Sequence, residues 1–305
     1  MKRQTWCEAG TGEPLFFAIT PPRKTVSAER AKEIAAATIG RLTAISPDAL
    51  VVYDIADESA RNPDKRPFPF SPTMDASEFV TQHLHGWTGR KIIYRAVGKY
   101  TEDSLGAWLT QQNPDEVSSV FVGASNADQV GATSLRRAYT LRDERRPELT
   151  LGGVAIPERH TKDRCEHEKL IAKQESGCSF FITQIIYDVN AAKNLLSDYR
   201  LECRRRGIAP VPIVLTFSVA GSLTTLEFMR WLGISVPTWV DNDVANSLDP
   251  LATSHAHALA AAADLADYCR RMRIPFGINI ESVSARRAEI DSAMDLALRV
   301  SDLLR

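Results

Sequence analysis

The side chains best suited to chemistry gather in one stretch, Leu151 to Asp188. An apolar run, Val154 to Ile156, stops at Pro157 and delivers an acid, a base and an imidazole: Glu158, Arg159 and His160. A segment with helical spacing, carrying Leu170, Ile171 and Lys173, stops at Gly177. A second apolar run, Phe180 to Ile182, then presents Thr183 and the amide of Gln184. Strand, helix and strand within this length make a βαβ unit, which predicts parallel strands. Both strands then end on the side where α/β proteins hold ligands, with Glu158, His160 and Gln184 close together on one rim.

Other apolar runs end in further polar or aromatic groups. These are Tyr53-Asp54, Arg95, Ser125-Asn126, Phe217-Ser218 and Glu281. After Asp54 comes a long polar, proline-rich loop, Ile55 to Met74, carrying Asp57, Glu58, Arg61 and Arg66. Loops of that length inside a compact domain are functional or disordered, and its aromatic content argues against disorder. Among these strand-end residues there is no H-x-H or H-E-x-x-H. His83 and His85, like His255 and His257, are two apart and diverge on a helix, so no metal site is expected.

The elements that must position these groups follow from periodicity. Strands are expected at 15–20, 50–54, 91–96, 119–123, 149–156, 180–184, 212–217 and 276–280. Helices are expected at 28–44, 77–85, 101–112, 134–145, 190–206, 223–232, 252–272 and 285–304. Asp75 or Ser77, and Thr101, are the expected N-caps, and Gly207 the expected helix stop. Eight strands alternating with helices, with no linker and no repeat, predict one (βα)8 TIM-type barrel spanning 1–305.

Composition agrees. A 305-residue chain with 44% apolar residues can bury a large core. A net charge of −1 gives no reason to expect nucleic acid or an anionic membrane. Five scattered cysteines without C-x-x-C argue against disulfides and structural zinc. No run is long enough to span a bilayer, and Met1 to Trp6 carries no signal-like apolar region, so a cytoplasmic protein is expected. The oligomeric state is left open, a homo-oligomer included.

A-x-P-E-x-H at Ala155 to His160, Lys173 four before Gly177, and F-F-I-T-Q-x-x-Y-D at Phe180 to Asp188 together resemble the centre of the methylenetetrahydrofolate reductase family. Phe16 to Arg23, with Pro21-Pro22, resembles that family's first strand. The resemblance implies the same barrel and an oxidoreductase of one-carbon metabolism and methionine biosynthesis. Hydride would move between NAD(P)H, directly or through FAD, and the C1 unit of 5,10-methylenetetrahydrofolate. It implies that Gln184 meets the pterin ring; Tyr53, Phe217 and Ser218, at other strand ends, are the further expected substrate contacts. His160, Lys173, Ser125 and Asn126 match positions that meet the flavin cofactor.

Two departures stand out. The family's acid before the Pro-Pro pair is Ala18 here, and its R-G-D aspartate falls at or near Ser125. Alanine transfers no proton, and a serine hydroxyl has no suitable pKa. The loop after Asp54 resembles a flavin-independent branch in which a loop acid takes part, so Glu58, with Asp54, is the expected catalytic pair. The alternatives are surface pairing of Asp57 and Glu58 with Arg61 or Arg66, a folate-binding protein without turnover, and an enzyme that oxidises methyl-tetrahydrofolate.

Overall fold

The computed structural model describes residues 12–57, 64–123 and 132–305. Eight parallel strands close into a barrel in sequence order. They are β1 (Leu15–Ile19), β2 (Ala49–Val52), β3 (Arg90–Ala96), β4 (Val117–Val122), β5 (Leu151–Ala155), β6 (Cys178–Ile185), β7 (Ile213–Ser218) and β8 (Phe276–Glu281). The helices are α1 (Ala28–Ile45), α2 (Ala76–His83), α3 (Glu102–Gln111), α4 (Leu135–Arg145), α5 (Glu166–Glu175), α6 (Val189–Arg206), α7 (Leu223–Trp231), α8 (Thr238–Asn246), α9 (Pro250–Met272) and α10 (Arg287–Leu303). The expected (βα)8 barrel is therefore present. Contacts cluster into two compact units, residues 17–153 and residues 1–16 with 154–305. Among the described residues no helix is long and apolar enough to cross a membrane.

Local chemistry sets the boundaries. Ser27, Asp75, Thr101 and Ser134 accept hydrogen bonds from the first-turn N–H groups of α1, α2, α3 and α4, supplying acceptors these donors otherwise lack. In α1 the buried positions Ala31, Ala35, Thr38, Leu42 and Ile45 recur every three or four residues, which turns one face to the sheet. Gly207 ends α6 at φ 67°, a left-handed conformation that glycine adopts without strain. Strands β7 and β8 are buried on both faces, as a parallel sheet sheathed in helices requires.

Behind β7 the chain departs from a plain alternation. Two short helices, α7 and α8, intervene before the barrel helix α9. Leu226, Met229, Ile234, Val240 and Val244 pack with Ile185, Tyr187 and Ala220 at the ends of β6 and β7. The β7–α7 loop is fastened from α10: buried Glu289 accepts from the Gly221 N–H at 3.0 Å and the Thr225 hydroxyl at 3.1 Å. A Cβ at Gly221 would lie 2.6 Å from Glu289 Oε1 and 2.7 Å from its Cγ. Gly221→Ala is therefore expected to cost about 1–3 kcal/mol through overpacking, measured by urea unfolding.

Candidate functional site

In the unit holding residues 154–305, the site begins with an irregularity in β6. The β6–β7 ladder pairs Phe181 with Ile213 and Ile182 with Val214, then shifts before Ile185 pairs with Thr216. At the shift the Thr183 hydroxyl accepts from the Thr216 N–H at 2.8 Å. A bulge re-aims the side chain beside it. That side chain is Gln184, half-buried, whose amide donates to the Leu232 carbonyl at 3.3 Å. Ser235, three residues further on, donates its N–H to Glu158 Oε1 at 3.4 Å. Glu158 and Gln184, from β5 and β6, thus reach one short segment between α7 and α8.

Two polar atoms at these strand ends are buried without a hydrogen-bond partner among the described residues: Glu158 Oε2 and Ser218 Oγ. A native fold rarely leaves such atoms orphaned unless something else meets them. Burial pushes the Glu158 carboxyl up to about 7, with the Asp188 charge adding to it and the Ser235 N–H opposing. Phe217, beside Ser218, is fully buried.

His160 and Lys173 do not join this rim. The His160 ring turns to α6, where its Nε2 lies 3.0 Å from Asp198 Oδ2, and it packs edge-on against His167 of α5. Residue order does not say which way the 3₁₀ turn Pro157–Arg159 aims the residue that follows it. Lys173 is not a solvated helix charge. It donates to the Val154 carbonyl of β5 at 2.5 Å, and burial pulls its pKa down.

In the unit of residues 17–153 the strand ends carry a closed polar network. Asp54 accepts from the Ala96 N–H at 2.9 Å and from the Lys99 ammonium. The Tyr100 hydroxyl lies 2.7 Å from Asp54 Oδ2 and 2.9 Å from Asp75 Oδ2, so its one proton bridges two carboxylates. Burial, with those two charges adding to it, holds this phenol far above its ordinary pKa. Arg95 donates to Asp75 at 2.6 Å and lies between the rings of Tyr100 and Trp108. Tyr53 packs edge-on against Tyr94, with ring centroids 4.8 Å apart. Asp54 is thus an anchor whose oxygens are already engaged. Glu58, Ser125 and Asn126 lie outside the described residues.

Sequence reasoning passed over Lys99, Tyr100 and Ser235. The first two follow β3 as the short turn Val97–Lys99 and its cap, a strand-end signal that was available. Ser235 had none, since its partner is 77 residues away. A cavity of about 430 Å³ opens by Pro14, Arg270 and Phe276. It lies at the amino ends of the strands, whereas barrels of this kind hold their ligands at the carboxyl ends.

Comparison with known proteins gives the following. The family model for methylenetetrahydrofolate reductase matches residues 132–273. A solved structure from Clostridium thermocellum, an uncharacterized protein that binds two copies of 5-methyl-5,6,7,8-tetrahydrofolic acid, is 39% identical. The match covers 96% of each chain with a TM-score of 0.84. The catalytic domain of a Pyrococcus furiosus chitinase matches at 13% identity and TM-score 0.52, over 96% of this chain and 98% of its own. An EDTA monooxygenase from Chelativorans matches at 9% and 0.51, over 96% and 95%. These last two show the fold alone. No curated protein matches the sequence.

Proposed function

The chain belongs to the methylenetetrahydrofolate reductase family, and on that premise we propose that it binds a reduced folate and moves a hydride between a nicotinamide and the folate's one-carbon unit. The observation that carries the folate reading is the trio at the ends of β5, β6 and β7. Gln184 lies in strand order between two buried polar atoms without a partner among the described residues, Glu158 Oε2 and Ser218 Oγ. A pterin ring offers paired donors and acceptors along one edge. A carboxylate, a carboxamide and a hydroxyl supply the complementary set. Phe217 gives the apolar surface beside them, and Tyr53 remains the proposed aromatic contact from β2. The Clostridium thermocellum protein's methyl-folate fits the same reading.

The reaction needs one proton and one hydride. A protonated acid gives its proton to N10 of 5,10-methylenetetrahydrofolate, the bond from N10 to the bridging carbon breaks, and an iminium forms at N5. The nicotinamide supplies the hydride, with its two electrons, to that carbon and leaves oxidised; the product is 5-methyl-tetrahydrofolate. The chain's part is to hold the ring, align the reacting carbon and exclude water. Glu58 is the proposed acid, four residues beyond Asp54.

Direct transfer from the nicotinamide is favoured over a flavin relay. Of the positions matched to flavin contacts, His160 is turned to Asp198 and Lys173 to the β5 backbone.

The test mixes purified chain, NADH and 5,10-methylenetetrahydrofolate and follows the nicotinamide absorbance. Oxidation that depends on folate, by a colourless protein, is expected. A yellow flavin band would overturn direct transfer, and folate binding without nicotinamide oxidation would overturn the oxidoreductase reading. Gln184→Ala is expected to weaken folate binding roughly tenfold by calorimetry, about 1.4 kcal/mol for the lost hydrogen bonds.

A further inference from the structure

We propose that His160, His167 and Asp198 form a divalent metal site, of the kind zinc occupies, between the turn after β5, the first turn of α5, and α6. One donor atom from each of the three lies within 4.8 Å of the others. Imidazole, imidazole and carboxylate suit a borderline cation. Three protein ligands leave a fourth position for water.

The side-chain states point to a ligand. The His160 side chain is only 6% exposed, yet its Nδ1 has no partner among the described residues. His167 Nδ1 is also buried without a partner. The His167 nitrogen is costly to leave unmet, and a cation held with His160 Nε2 and Asp198 would answer it. The rings stand at 82° with centroids 5.2 Å apart, so they do not stack and can address a common point. The 3.0 Å between His160 Nε2 and Asp198 Oδ2 is close to the separation of about 3.3 Å between two ligands on tetrahedral zinc. Asp198, half exposed, opens the site to solvent and gives the ion an entry.

The site lies outside the folate trio. Its effect would be mechanical: the ion would tie the turn that carries Glu158 to α6. Sequence spacing hid it, because Asp198 lies 38 residues beyond His160.

The experiment uses the full chain, stripped with chelator and then titrated with Zn²⁺ against a chromogenic competitor at neutral pH. One equivalent per chain is expected. Binding should be weakened at least roughly tenfold in both His167→Gln and Asp198→Asn. Zn²⁺ should also raise the melting temperature of the parent and not of either variant. Co²⁺ added to the parent alone should give visible ligand-field bands with no thiolate charge-transfer band, which sets the site apart from the cysteines whether or not the variants fold. No saturable binding, binding unchanged in both variants, or a thiolate band would each overturn the proposal.

Discussion

Glu58→Gln is expected to lower turnover by roughly 100-fold while leaving folate affinity nearly unchanged. Opening the methylene bridge requires a proton, and the position matched to the family's acid is Ala18, buried in β1. Two carboxylates at the strand ends of the same unit are already engaged as acceptors. Asp54 is held by the Ala96 N–H, the Lys99 ammonium and the Tyr100 hydroxyl. Asp75 is held by the N–H groups of Ser77 and Glu78 and by Arg95. Oxygens so engaged are not free to meet a substrate nitrogen. Glu58, in the loop that follows Asp54, is the acid the sequence offers in their place. Glutamine keeps the shape of the side chain and removes only the transferable proton. Single-turnover oxidation of NADH measures the chemical step, and calorimetry with methyl-folate measures binding. Turnover at the parent rate would remove Glu58 from the mechanism. A loss of folate affinity matching the loss of rate would make it a binding group.

The barrel was legible because most strands are short apolar runs closed by a proline or a polar residue, and because Asp75 and Thr101 mark helix starts. What escaped depends on contacts distant in sequence. Helix α8, Thr-Trp-Val-Asp-Asn-Asp-Val-Ala-Asn, has few strong helix formers. Only Val240 and Val244, four apart, hold it in the cluster with Ile185 and Tyr187. The bulge in β6 comes from a side-chain hydroxyl taking a ladder position, which a pattern of apolar residues cannot reveal. Glu158 and Gln184 both bond to the short segment between α7 and α8. His160, two residues past Glu158, turns to Asp198 instead, because a single turn of 3₁₀ helix carries it to the face of α6. Motif spacing recognises such a histidine without telling which of two neighbours it meets.

Arg95→Ala is expected to cost the fold about 3–5 kcal/mol at neutral pH, the range for breaking a buried ion pair. Arg95 is 4% exposed, bonded to Asp75 and to the Tyr100 hydroxyl, and its guanidinium lies 4.8 Å and 4.3 Å from the Tyr100 and Trp108 ring centroids. Alanine removes the cation and leaves two carboxylates, Asp54 and Asp75, facing one phenol, with the Lys99 ammonium on Asp54 alone. It also empties the space between two rings, so packing is lost with the charge. Acidity separates these contributions. Burial opposes the charge on Asp75, but Arg95 and the capping N–H groups hold its pKa below the ordinary value. A depressed carboxyl contributes stability above its unfolded pKa and loses it as the pH falls through the folded one. The gap between parent and variant, measured by urea unfolding, should therefore be full at neutral pH and narrow in acid as Asp75 protonates. The packing share should persist. A gap that stayed constant down to the acid limit would mean that Arg95 acts as a filler between two rings, and that the carboxylates beneath it are held by Lys99 and Tyr100 without its help.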